Sequence, residues 1–236
     1  MISRLAGPAF CLSALIAMPV HAMDVPQAPD ISAFTLQEPA KRLGLHLVPS
    51  TTLGSGYNTA FYSRDQQTGA LTLTTDGLQP VIRGKVAPET LLRENTAWYF
   101  QQTNSDMTAT VHIDHFPRNG KVVIGRLAST QHPVAELSVQ GDRVFALVDN
   151  GTSKQSVVVG TVYPHQTIRY EIHTSPNGLM RIIVNGTENH FSLPSAAIAQ
   201  GVWFEAVVGE QGWHAPSHAD MARVTFTGLQ VHHEAA

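Results

Sequence analysis

Cysteine is almost absent from this chain: the only one, Cys11, lies in an apolar stretch at the N-terminus. The remainder has no thiol to cross-link, so disulfides and thiolate metal sites are excluded there and stability has to come from a buried core. Charge is sparse as well. Charged residues make up 14 % of the chain, and 15 bases face 18 acids for a formal charge of −3, a balance that argues against nucleic acid as a partner. Beyond the first residues no apolar run is long enough to cross a bilayer. The G-x-S-x-G elbow, the Gly-Lys-Ser/Thr phosphate loop and H-E-x-x-H are all missing, and nothing points to a cofactor or a metal.

What the N-terminus does contain is "MISRLAGPAFCLSALIAMPVHA", with one early charge at Arg4, an apolar stretch, and Val20, His21 and Ala22 in a small-x-small arrangement. That is the pattern of a secretory signal, so Met1–Ala22 are expected to be removed, leaving one domain over residues 23–236 in a periplasmic or secreted protein. Losing Arg4 and no acid leaves 14 bases against 18 acids, a formal charge of −4.

The rest reads as short strands. "GALTLTTDG", "TATVHIDHF", "KVVIGRLAS", "VAELSVQ", "DRVFALVD", "SVVVGTV", "TIRYEIHT", "LMRIIVN", "VWFEAVVG" and "ARVTFTGLQVHH" alternate or are rich in Val, Ile, Thr and aromatics. Turn pairs separate them at Asn119-Gly120, Gln140-Gly141, Asn150-Gly151, Asn177-Gly178 and Asn185-Gly186. An all-β sandwich follows. Only Pro39–Leu43 and Ser195–Gln200 are expected to be helical, both short. The sequons at Asn150 and Asn185 are read as hairpin turns. His112 and His115, three apart on a strand, point to opposite faces and do not share a metal without a bulge. His214 and His218 fall in a Gly/Pro-flanked loop and are read as exposed polar residues.

In order along the chain, "FTLQEPA", "GYNTAFYS", "GALTLTTDG", "PETLLRE", "KVVIGRLAS", "IRYEIHTSPNGLMRIIVNG", "VWFEAVVGEQ" and "ARVTFTGLQVHH" resemble the alginate lyase family of polysaccharide lyases, family 7, over roughly Ile31–His233. The resemblance implies a β-jelly roll of two antiparallel sheets with a glycan groove on its concave face. It also implies β-elimination on a uronate polymer, in which one group neutralises the sugar carboxylate, a base removes the C5 proton and an acid protonates the leaving O4. The family uses an Arg of R-[ST]-E-L-R, the Gln and His of Q-[IV]-H, and the Tyr of Y-F-K-A-G-x-Y-x-Q.

Laid onto those motifs, this chain departs where the chemistry should be. The first Arg falls on Glu89, the Glu on Leu91, and the second Arg on Arg93, which matches. The Gln falls on Arg126 and the His on Ala128. The Lys falls on Glu205, the Tyr on Gly209, and the Gln on Gln211, which matches. Alanine is no base and glycine no acid. The expected substrate contacts are Glu89, Arg93, Arg126, Glu205, Gln211 and Trp213, the last as a stacking surface in a Gly-flanked loop. His132, Tyr57 and Arg126 are the candidates to replace the lost catalytic groups, with Tyr62, Tyr99 and His214 as further flanking aromatics. Glu89, Arg93, Arg126 and Glu205 could equally pair across strands and hold the sheet. Two functions stand open: a lyase with an altered site acting on an acidic, uronate-containing polysaccharide, and a non-catalytic glycan-binding or structural jelly roll.

Overall fold

Strands dominate because β-branched and aromatic residues recur every second position and glycine-containing turns reverse the chain between them. The computed structural model describes residues 27–40, 44–78, 88–149, 151–163, 165–210 and 220–236. Its strands are β1 (Phe34–Ala40), β2 (Gly44–Pro49), β3 (Tyr62–Arg64), β4 (Leu71–Thr75), β5 (Glu89–Glu94), β6 (Thr103–His115), β7 (Lys121–Ser129), β8 (Pro133–Gln140), β9 (Arg143–Asp149), β10 (Lys154–Thr161), β11 (Ile168–Thr174), β12 (Leu179–Val184), β13 (Thr187–Ser192), β14 (Val202–Glu210) and β15 (Ala222–Ala235). Two short helices, α1 (Ser50–Gly54) and α2 (Ser195–Ile198), join them.

The strands form two antiparallel sheets of a β-jelly roll. One has eight strands in the order β10-β9-β8-β7-β14-β5-β1-β2, the other seven in the order β13-β12-β11-β6-β15-β4-β3. Between them lies the core. Phe34, Leu36, Leu92, Ile124, Leu137 and Phe204 from the first sheet and Met107, Val111, Tyr170, Ile172 and Phe226 from the second are all fully buried. Removing this much apolar surface from water is what holds a chain without disulfides together.

The helix expected over Ser195–Gln200 is present as α2. The one expected over Pro39–Leu43 is not: Pro39 and Ala40 close β1, paired with Leu45 and Gly44, and residues 41–43 lie outside the described residues. Proline is tolerated at a strand end, and the neighbouring β2 is an edge strand, so no ladder bond is lost in the middle of the sheet.

One irregularity positions the site. On β7, Val123 pairs with Ser138 and Gly125 with Leu137, so Ile124 is an extra residue and the ladder carries a bulge. Up to that point Val122 and Ile124 face the core, and beyond it Leu127 does. The bulge therefore changes the parity of the strand and turns Arg126 and Ala128 to the outer face. Gly125 is what makes this possible, because a Cβ there would lie 2.6 Å from the Tyr170 hydroxyl, which donates to the Ile124 carbonyl at 2.8 Å.

Candidate functional site

The outer face of the eight-stranded sheet is where the motif residues meet. Glu205 on β14 stands directly opposite Arg93 on β5 and, on its other side, Arg126 on β7, which in turn stands opposite Glu136 on β8. This is one cross-strand row of alternating charge, Arg93, Glu205, Arg126, Glu136. Three carboxylates enclose the Arg126 guanidinium. Its Nη1 donates to Glu205 Oε2 at 2.8 Å, its Nη2 to Glu136 Oε2 at 3.0 Å and to Glu89 Oε2 at 3.2 Å, and its Nε to Glu136 Oε2 at 3.1 Å. Burial opposes the charge on Arg126, but Glu205, Glu89 and Glu136 outweigh it and hold the guanidinium above its ordinary pKa.

The surroundings are closed to water. Glu89, Leu91, Val123, Arg126, Ala128, Glu136, Ser138, Trp203, Glu205 and Val207 all belong to this face, and none is more than 7 % exposed. Leu91, Val123 and Val207 form an apolar cluster of their own there, separate from the core between the sheets. Val123, at the position before the bulge, contributes to it; Leu91 and Val207 stand where the lyase motifs place Glu and Gly.

Arg93 is the exception. It is half-buried, and its guanidinium carbon lies 3.9 Å from the centre of the Trp203 ring, which it covers as a cation on a π-face. Trp203 is held below it by donating Nε1 to Glu205 Oε1 at 2.8 Å. Among the described residues Arg93 makes no ion pair, so its donors are available to a ligand.

The other sequence candidates are scattered. His132, in the β7–β8 turn, sits at the rim of the same face with Nε2 2.6 Å from Asp149 Oδ2. The Ser129 hydroxyl, which donates to the His132 carbonyl at 2.8 Å, ties down its backbone. Tyr57 does not reach Arg126. It packs against the core side of the sheet and donates to Glu38, a carboxylate that also accepts from Thr59 Oγ1 at 2.8 Å and contacts His46 Nδ1 at 3.0 Å. Burial first, and then the Glu38 bond, push its phenol well above the ordinary tyrosine range. The expectation that Tyr57 and Arg126 share a site is therefore corrected: Glu38 follows the parity of Phe34 and Leu36, which is the core face of β1.

Tyr62 is buried in the core and Tyr99 is exposed. Trp98 is a core residue that donates to Glu94 Oε2 at 3.1 Å. Gln211, Trp213, His214 and His218 lie outside the described residues. Two acids were missed: Glu136, readable as the one acid of "VAELSVQ" once β8 is paired to β7, and Asp149, for which the sequence offered no signal. No three His, Asp or Glu residues among the described ones come together as metal ligands.

A sequence profile of the alginate lyases matches residues 29–233. The chain belongs to the alginate lyase family. No curated protein sequence matches it. Solved structures do: an alginate lyase from Pseudomonas aeruginosa is 23 % identical, with a TM-score of 0.80, covering 87 % of this chain and 100 % of that one. One from a Corynebacterium species is 15 % identical, with a TM-score of 0.75, over 87 % of this chain and 96 % of that one. One from Klebsiella pneumoniae is 14 % identical at a TM-score of 0.71, over 86 % and 96 %. At such identities the likeness shows the jelly roll. Membership of this polysaccharide lyase family rests on the profile.

Proposed function

We propose that this alginate lyase family member binds a uronate-containing polysaccharide along the outer face of the eight-stranded sheet, with Arg93 on its Trp203 platform as the carboxylate contact. In this reading the family's own β-elimination is lost. The observation that carries it is the enclosure of Arg126 by Glu89, Glu136 and Glu205. Four of the five N–H donors of this guanidinium are already spent on three carboxylates, which leaves no paired donors for a sugar carboxylate, and a buried negative surround repels one. With Ala128 and Gly209 at the base and acid positions, no general acid–base pair remains there, and each such loss removes about a hundredfold to ten-thousandfold of rate. Export by the Met1–Ala22 segment belongs to this reading, and a mature mass starting at Met23 would support it.

A second reading has one observation behind it. His132, fixed at 2.6 Å from Asp149 at the rim, is an imidazole oriented by a carboxylate, the arrangement of a general base. It lies beside Pro133, the cross-strand neighbour of Ala128. Cleavage from there would use a relocated base.

One experiment separates the two. Purified protein is offered polymannuronate, polyguluronate and polygalacturonate, with binding and ultraviolet absorbance of an unsaturated product both followed. Binding without product, weakened about tenfold or more in Arg93→Gln, is expected, the loss of a charge-assisted contact. Product formation that disappears in His132→Ala would establish the second reading and overturn the first.

A further inference from the structure

The outer face of the seven-stranded sheet carries a second polar row. By register, His232 on β15 stands opposite Asp106 on β6, Asp106 opposite His173 on β11, His173 opposite Arg181 on β12, and Arg181 opposite His190 on β13. Neighbouring strands lie about 4.8 Å apart, so this one line extends about 19 Å across the sheet. An open cavity of about 270 Å³ lies along it, lined by Asp106, His173, Arg181 and His190, with Asn104, Ser105, Thr174, Ser175 and Leu179 on the next row and at the strand ends.

We infer that this cavity is a saccharide-binding site, separate from the row containing Arg93, and that it takes a uronate unit of a glycan chain. The lining mixes acceptors and donors, which is what a ring of hydroxyls needs, since each hydroxyl both gives and accepts a hydrogen bond. Asp106 and Asn104 make no hydrogen bond or ion pair through their side chains with any described residue, so their oxygens and the Asn104 amide face the cavity unengaged. Leu179, 41 % exposed, supplies the one apolar wall, the complement of the C–H face of a pyranose. Arg181 meets the carboxylate. Its present partner, Glu188 at 3.5 Å, is an exposed and weak pair that a better-placed carboxylate displaces.

Other occupants fit less well. A phosphate has neither hydroxyls for the mixed lining nor a C–H face for Leu179, and its second charge adds to the repulsion from Asp106 in the middle of the row. A metal ion would need three ligands brought together, and the described residues offer no such group. A protein partner would need an apolar centre, where this surface has only Leu179.

The test is titration of mannuronate and guluronate oligosaccharides into the isotopically labelled protein, following backbone amide shifts. Saturating shifts at Asn104, Thr174 and His190 are expected, with affinity lowered at least about tenfold in Asp106→Ala/Arg181→Ala, which removes two charge-assisted contacts. These residues are at the sheet surface, and unperturbed shifts elsewhere will show the variant to be folded. The Arg93→Gln variant should keep the Asn104 and His190 shifts, so failure of the first site leaves this one readable. Absence of shifts on this face, whether or not the other face responds, overturns the proposal. So does a double variant whose shifts and affinity match the parent's, because the row would then be only a solvated surface.

Discussion

Two rows of polar side chains cross this molecule on opposite outer faces, and they have opposite fates. Arg93, Glu205, Arg126 and Glu136 alternate in sign, and from Glu205 to Glu136 they are buried and bonded to one another. Asp106, His173, Arg181 and His190 border an open cavity, with His232 ending their row, and the ion pairs of His173, Arg181 and His190 run along their own strands or to the edge, to Glu171 and Glu188. Both faces obey the same geometry, in which directly opposite residues on neighbouring strands meet. The difference is solvent. Where water is excluded a charge has to be neutralised by protein, and the row turns inward on itself. Where water is present it stays available to a ligand. On the reading proposed above, the residues at the lyase motif positions of the first face have become structure, except at the row's end, Arg93.

The sharpest way to break that contrast is to cut the centre of the closed row. In Arg126→Gln three carboxylates remain buried around a neutral side chain, and removing one partner from a buried ionic cluster costs about 3–5 kcal/mol. At about 2–4 °C per kcal/mol for a chain of this size, the melting temperature should fall by about 10 °C. Glycan binding by the folded fraction, measured well below the transition, should not change. Lost binding at unchanged melting temperature would mean that Arg126 serves a ligand, and the two rows would no longer differ in kind.

How far this was legible is clear from the residues themselves. The alternating segments located most strands, with β7 matching "KVVIGRLAS" end to end, because period-2 patterning and turn glycines are local signals. The motif comparison also placed Glu89, Arg93, Arg126 and Glu205 on one face. What was not legible was whether they pair or bind. That depends on Glu136, ten residues from Arg126 and adjacent only through the hairpin, and on burial of a face that alternation alone marks as solvent-facing. Tyr57 shows the same limit: its partner Glu38 is chosen by packing between layers, which a linear motif does not encode.

A smaller effect tests how the closed row is aimed. Gly125→Ala would set a methyl group 2.6 Å from the Tyr170 hydroxyl in a fully buried place. Either the bulge flattens or Tyr170 gives up its bond to Ile124, and such overpacking costs about 1–3 kcal/mol. If the bulge yields, Arg126 shifts with it, and Arg126→Gln added to Gly125→Ala should cost less than the two separately. Strict additivity in a double-mutant cycle would show that the bulge does not aim the guanidinium.

The smallest effect comes from a carboxylate of a third kind. Glu38 is buried like Glu205, yet its described partners are Tyr57, Thr59 and the half-exposed His46 instead of a guanidinium. The Tyr57 phenol is therefore held neutral by its surroundings, with a folded pKa raised above the ordinary value of 10.0. A group with a raised folded pKa contributes stability that is complete below its unfolded value and is lost as pH rises above it. The protein should accordingly lose stability above about pH 10, where unfolded tyrosines ionise and the folded one resists. Tyr57→Phe should lower stability at pH 7 by about 1 kcal/mol, the net worth of one hydrogen bond. It should also flatten the alkaline decline, leaving the shares due to Tyr170 and Tyr62, whose phenols burial likewise raises. Chemical denaturation at pH 7, 9 and 11 measures both effects. An alkaline slope that is the same in the variant and the parent would mean that Glu38 is satisfied without the phenol, as a carboxylate in an open row would be.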